Sequence, residues 1–256
     1  MRPQQPCEHV ASTREITAPL RLNRALALLG VASRRRCDQI IERGEVSVNQ
    51  KVIYQPFHRI DPLKDCIAHC KRKLIFPESF AYYAFHKPRG FICSHRSFLK
   101  QKTIYSLFLP SERAREKMRW ISVGRLDRES SGLLLLTNDG EFAHRVAHPR
   151  FALSKEYLVK VREEVTHAHL VDLSKGCIVE GRKVVPLWVK KVRRGTVKVS
   201  ICEGRKREVR HLFAQSSLSL LSLMRIRIGS VHLGALAPAE WRELTGGELR
   251  SLWHAS

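Results

Sequence analysis

Long apolar runs are missing from this chain. A spanning helix needs about 20 consecutive apolar residues, and no segment approaches that, so no membrane-spanning role is expected. Acidic residues are scarce too: 24 Asp plus Glu stand against 46 Lys plus Arg, for a formal net charge of +22. A surface so short of negative charge calls for a polyanionic partner. Nucleic acid is the first candidate and an anionic membrane surface the second. The first residues, MRPQQPCEHVASTREITAP, lack the charged-then-apolar plan of a secretory signal and read as a disordered leader over residues 1–18. Cysteine is neither plentiful nor even in number. Seven thiols, at 7, 37, 66, 70, 93, 177 and 202, suit free cysteines in a reducing cytoplasm rather than a disulfide framework. Cys66-Ile-Ala-His-Cys70 hints at metal binding, but a structural zinc site takes four ligands and no second pair at suitable spacing completes one. The chain is expected to work without metal or cofactor. It also lacks internal repeats and low-complexity tracts. What it has is a 43% hydrophobic fraction over 256 residues, enough for a real core and for one large domain or two unequal ones.

The first ordered unit begins near Pro19. In LRLNRALALLG, Leu22, Ala25, Leu26 and Leu29 lie on one helical face and Gly30 can end the helix. Ser33 is a good N-cap for SRRRCDQIIERG, whose Cys37, Ile40 and Ile41 form a second apolar face, with Gly44 as the stop. EVSVNQKVI then alternates at Val46 and Val48, turns at Asn49-Gln50 and resumes at Val52 and Ile53. Arg34, Arg35 and Arg36 occupy the first turn of the second helix, where the macrodipole disfavours positive charge. Phosphate binding gives them a purpose that helix stability does not; a solvated charged turn is the plainer alternative. This stretch, RLNRALALLGVASRRRCDQIIERGEVSVNQKVI, resembles the S-four RNA-binding domain over residues 20 to about 66. Gln50 stands where that family usually has glycine. The resemblance implies RNA binding, with Arg21, Arg24 and the Arg34–Arg36 turn as contacts.

Residues 67–79 are mixed and charged and read as a linker. From residue 80 to 256 the texture changes. FAYYAFHKPRGFICS, RWISVGRLD, SGLLLLTND, SKEYLVKV, KVVPLWVKKV, TVKVSICEG and MRIRIGSVHL read as strands, and EFAHRVAH, THAHLVDLSK, KREVRHLFAQ and GELRSLW as helices. Strands outnumber helices and often follow one another directly. That predicts an α+β class: a mixed, mainly antiparallel sheet behind a small helix-helix-hairpin domain.

Within SVGRLDRESSGLLLLTNDG, Asp127 sits between Arg125 and Arg128, just before the apolar run Leu133–Leu136. A carboxylate at the edge of a core is costly unless paired. Flanking arginines would keep it ionised, as for a prepared nucleophile or base, and equally as for a structural ion pair.

Four ordered stretches, HKPRGFICS, VGRLDRESSGLLLLTNDGEFAHRVAHP, SKEYLVKV and EGRKREVRHLF, together resemble the pseudouridine synthases of the RsuA/RluB type. The likeness runs from about residue 80 to 245. It implies a cofactor-free isomerase that acts on ribosomal RNA, with Asp127 as the catalytic aspartate. It further implies that Tyr157 packs on the target base and that Arg210 pairs with the aspartate. From spacing alone Tyr157 could be an ordinary strand aromatic, and Arg210 a phosphate contact. Arg125 would hold the place of the flipped nucleotide. Lys87, Arg89, Lys155, Arg205, Lys206 and Arg207 read as further RNA contacts. Three positions depart from the family pattern: Glu208 for a common glutamine, His211 for arginine and Ala239 for glycine. The expected partner is ribosomal RNA, of the large subunit first and the small subunit second, met by a single cytoplasmic chain without a membrane. A non-catalytic ribosomal RNA-binding or assembly factor is the competing class.

Overall fold

The computed structural model describes residues 19–77, 79–95, 101–108 and 119–254. The expected leader lies outside them. The described chain divides into two compact units, one built mainly from the first 81 residues and the other from most of the remainder.

In the smaller unit, β1 (Leu20–Arg21) leads into α1 (Leu22–Leu28), which is followed by α2 (Arg34–Glu42). Ser33 caps α2, its side chain accepting the Arg36 N–H at 3.4 Å. Leu22, Ala25 and Leu26 meet Cys37, Ile40 and Ile41 in one core, as their helical spacing predicts. The hairpin of β2 (Val46–Val48) and β3 (Lys51–Val52) turns through Asn49 and Gln50, both left-handed at φ 49° and 68°. A two-residue turn of this kind matches the natural twist of the strands. A short strand β4 (Arg59–Ile60) pairs with β1.

The linker expected over 67–79 is corrected here. Strand β5 (Ile67–His69) pairs with β2, and β6 (Arg72–Lys73) pairs with β5, completing a four-stranded sheet. Ile67, only 1% exposed, anchors β5 in the core. Lys71, Arg72 and Lys73 face solvent and hide the strand from a hydrophobicity reading. The same turn brings His69 and Cys70 near Glu45, their donor atoms within 4.8 Å of one another. That is one ligand short of a closed structural zinc site, and Cys66 is not in the group.

The larger unit is built on a nine-stranded sheet. Its strands in chain order are β7 (Tyr82–Lys87), β8 (Ile121–Val123), β9 (Ser130–Thr137), β10 (Lys155–Val161), β13 (Trp188–Arg193), β14 (Thr196–Ile201), β15 (Leu220–Ile228), β16 (Val231–His232) and β17 (Trp241–Glu243). The spatial order β13-β14-β10-β15-β9-β7-β17 contains one parallel pair, β15 with β9; its other neighbours are antiparallel. Helices α3 (Gly140–Ala147), α4 (His167–Lys175), α5 (Glu208–Gln215) and α6 (Gly246–His254) fall where the helical patterns lie. A separate hairpin, β11 (Cys177–Val179) with β12 (Arg182–Val184), stands outside the sheet. The class is α+β with mostly antiparallel pairing.

Leu133, Leu134, Leu135 and Leu136 in β9 are all 0% exposed, as a strand covered on both faces requires. The strand ends at Lys87 in the turn that Lys87-Pro88-Arg89-Gly90 predicts, with Gly90 at φ 92°, and the strand expected after it shrinks to an isolated bridge from Ile92 to Thr103.

Candidate active site

The segment from Gly124 to Glu129 enters β9, and its side chains divide by direction. Leu126 is buried in the same core as Tyr157 and Leu223, while Arg125 and Arg128 are exposed. Leu126 thus pins the segment and leaves Asp127 half-buried at the rim. The Asp127 carbonyl accepts the Ser130 N–H at 3.1 Å, closing a turn into the strand.

Position in the sequence points to the flanking arginines as partners of the acid, and the family resemblance points to Arg210. Asp127 Oδ2 lies 3.6 Å from Arg210 Nε on α5. Arg210 Nη2 also donates to Ser130 Oγ at 3.2 Å, so one guanidinium spans the acid and the first residue of its strand. Tyr157, on β10, is 6% exposed. Burial raises its phenol pKa, and Arg225, Glu208 and Asp127 are the charges near enough to modulate it. Asp127, Tyr157 and Arg210 therefore lie in one neighbourhood of one unit.

Two expected RNA contacts have their ammonium groups taken up by backbone carbonyls, Lys87 fully buried and Lys155 half-buried. Lys87 is 0% exposed, and its Nζ donates to the carbonyls of Ser130 at 2.7 Å, Pro88 at 3.1 Å and Arg128 at 3.5 Å. Burial lowers its pKa to about 8. Lys87 braces the loop that carries Asp127 instead of meeting phosphate. Lys155 does similar work across β10 and β14, donating to the carbonyls of Leu153 and Cys202 at 3.0 Å and of Glu203 at 3.3 Å. β7 is buried along its whole length and Lys155 lies half-buried at the start of β10, and backbone carbonyls are the acceptors each lysine finds there.

The other basic residues lie outward to different degrees. Arg125, Lys206 and Arg207 are exposed, as are Arg21, Arg34, Arg35 and Arg36 in the smaller unit; Arg24 there is half-buried. Arg89 is exposed but pairs with Glu129 at 2.7 Å, and half-buried Arg205 pairs with Glu203 at 2.6 Å.

Three side chains were missed as site members. Ser130 is 1% exposed and meets Arg210. Glu208 is 4% exposed and accepts the Arg205 N–H at 3.0 Å; burial raises its pKa to about 7. Arg225 is 3% exposed and donates from Nε to the Leu133 carbonyl at 2.7 Å. The available signal was alternation in MRIRIG, which places Arg225 on the same face as apolar Leu223.

The chain is similar in sequence and fold to known proteins. Residues 81–215 match the family described as RNA pseudouridylate synthase, and residues 20–62 match the S4 domain. The ribosomal large subunit pseudouridine synthase B of Bacillus subtilis is 32% identical over 91% of this chain and 95% of its own length. A chloroplast protein of Arabidopsis thaliana, provisionally named a ribosomal large subunit pseudouridine synthase, is 36% identical over 91% of this chain, which spans 60% of that relative's length. A crystal structure of a pseudouridylate synthase superposes with a TM-score of 0.65 at 29% identity, covering 91% of this chain and 99% of the other. With an aspartate, a tyrosine and an arginine gathered at the head of β9, the chain belongs to the RNA pseudouridylate synthase family.

Proposed function

We propose that this chain isomerises a uridine of ribosomal RNA to pseudouridine, with the large-subunit RNA as its substrate. The observation that carries the reading is Asp127 at the rim of the core, 3.6 Å from Arg210, in the neighbourhood of the buried Tyr157. The large-subunit assignment is supported by the names of two relatives.

The reaction breaks the bond from ribose C1′ to base N1, turns the base, and forms a bond from C1′ to C5. The hydrogen on C5 leaves as a proton, and N1, freed from the ribose, takes one up. A stacked uridine cannot reach a carboxylate at the head of a strand, so the target nucleotide is flipped out. Loops and junctions of the RNA yield it most readily. Asp127 then acts as nucleophile on the ribose or base, or removes a ribose proton on the way to a glycal. Arg210 orients the carboxylate, Tyr157 packs on the base, and exposed Arg125 fills the place the nucleotide leaves. Backbone phosphates are met by Arg89, Arg205, Lys206 and Arg207 on the larger unit, and by Arg21, Arg24, Arg34, Arg35 and Arg36 on the smaller.

The test uses ribosomal RNA transcripts labelled with tritium at uracil C5. Release of tritium from large-subunit RNA, and not from small-subunit RNA, is the expected result. Release only from small-subunit RNA moves the substrate. Tight binding without release from either makes the chain a non-catalytic ribosomal RNA-binding factor.

A further inference from the structure

Strand β15 stands between the two strands that frame the site. On it, Arg225 is opposite Tyr157 of β10 on one side and opposite Gly132 of β9 on the other. A guanidinium that is 3% exposed is costly to bury unless its N–H groups find acceptors. Arg225 Nε donates to the Leu133 carbonyl at 2.7 Å, and the same guanidinium is near enough to the Tyr157 hydroxyl to act on it. Nη2 is buried with no hydrogen-bond partner. The approach depends on Gly132. At φ +106°, a Cβ there would stand 2.2 Å from the Arg225 carbonyl oxygen. One arginine therefore binds the strand that follows Asp127 and stands beside Tyr157.

The direction of a hydrogen bond between the two side chains is fixed by chemistry. Guanidinium has only N–H donors, whereas a phenol has one O–H and an accepting oxygen. Arg225 must donate and Tyr157 must accept, which leaves the phenolic hydrogen for a different acceptor. We infer that Arg225 is a positioning residue that sets Tyr157 as a hydrogen-bond donor toward the flipped base; this rests on the synthase reading above. Tyr157 then gives its hydrogen bond to a uracil carbonyl and does not take the hydrogen from C5. A phenol that took that hydrogen would first have to lose its own, and burial works against that loss.

Two measurements test this, one of them independent of turnover. In the free protein labelled with carbon-13 at tyrosine Cζ, the Tyr157 resonance is assigned by its loss in Tyr157→Phe. Arg225→Lys should shift that resonance and leave the other tyrosines in place. A Tyr157 signal that does not move overturns the inference, whether or not the chain is an active synthase. The second is a double-mutant cycle on tritium release, with thermal melts verifying that each variant is folded. Arg225→Met should lower kcat about 10- to 100-fold, the range for one charge-assisted hydrogen bond, with KM nearly unchanged. In a Tyr157→Phe background the same change should cost no more than about twofold. If Arg225→Met does not fold, Arg225→Lys takes its place in the cycle, with a smaller loss and the same non-additivity. Additive losses overturn the inference. So does a parent rate that climbs tenfold per unit between about pH 7 and 9, the signature of a tyrosinate base. A parent chain that binds RNA but releases no tritium removes the synthase reading, and the resonance still decides the contact.

Discussion

Replacing Arg210 with methionine keeps most of the side chain's volume and removes its charge. The structure bounds the effect on stability. Asp127 and Arg210 side chains are 35% and 27% exposed and 3.6 Å apart, so water screens the pair and it contributes about 1 kcal/mol or less. The bond from Arg210 to Ser130 Oγ, at 3.2 Å, adds a similar amount. Thermal melts should therefore shift by only about 2–8 °C for a domain of this size. Catalysis should suffer far more, because the aspartate loses the group that aims it. A misplacement of the order of 1 Å costs about 100-fold in turnover. Single-turnover tritium release at saturating RNA measures that step, and filter binding over a salt series measures affinity. The expected pattern is turnover down about 100-fold with affinity within about threefold of the parent. The reasoning is refuted by normal turnover at saturating RNA together with weaker binding and a salt slope reduced by about one unit. That combination would make Arg210 a phosphate contact.

Three further expectations follow from particular residues. Gly132→Ala puts a Cβ 2.2 Å from the Arg225 carbonyl oxygen at a left-handed φ of +106°, so it should cost more than about 3 kcal/mol in chemical denaturation and lower activity with it. Ala239→Gly should raise stability by about 1 kcal/mol in the same measurement, because Ala239 sits at φ 72°, where only glycine is unstrained. Glu208, whose pKa is raised from 4.5 to about 7, holds its proton in the folded state after the unfolded chain has released it. Its contribution is fully present below about pH 4.5 and is lost as pH rises to about 7, so melts of the parent relative to Glu208→Gln should fall across that window by up to about 3 kcal/mol.

Much of the fold was written in local pattern. Helical spacing in Leu22–Leu26 and Cys37–Ile41, and the unbroken leucines of β9, have only one economical burial each. The strand β5 was hidden because Ile67 is its one deeply buried anchor and a basic turn follows. Two departures from family pattern acquire a physical meaning: Gln50 and Ala239 both occupy left-handed backbone, at φ 68° and 72°, where the glycine they replace would be relaxed. The site was less legible. Asp127 stood out as an acid before an apolar strand, but its neighbours in sequence were poor guides to its partner. The segment turns Arg125 and Arg128 outward, and Arg210 arrives from a distant helix. Charge alone also misplaced Lys87 and Lys155, since nothing in one sequence distinguishes a lysine that meets phosphate from one that gathers backbone carbonyls. Alternation marks Arg225 as inward-facing, but the strands it meets, β9 and β10, lie far away in sequence.

Substitution of Asp127 by asparagine preserves shape and removes the charge on which the proposed chemistry depends. The decisive measurement is tritium release from C5-labelled ribosomal RNA by purified Asp127→Asn, with RNA affinity measured in parallel. The account predicts no release above background and binding within about threefold of the parent. Release at even about a tenth of the parent rate would contradict it and place the reaction at another residue.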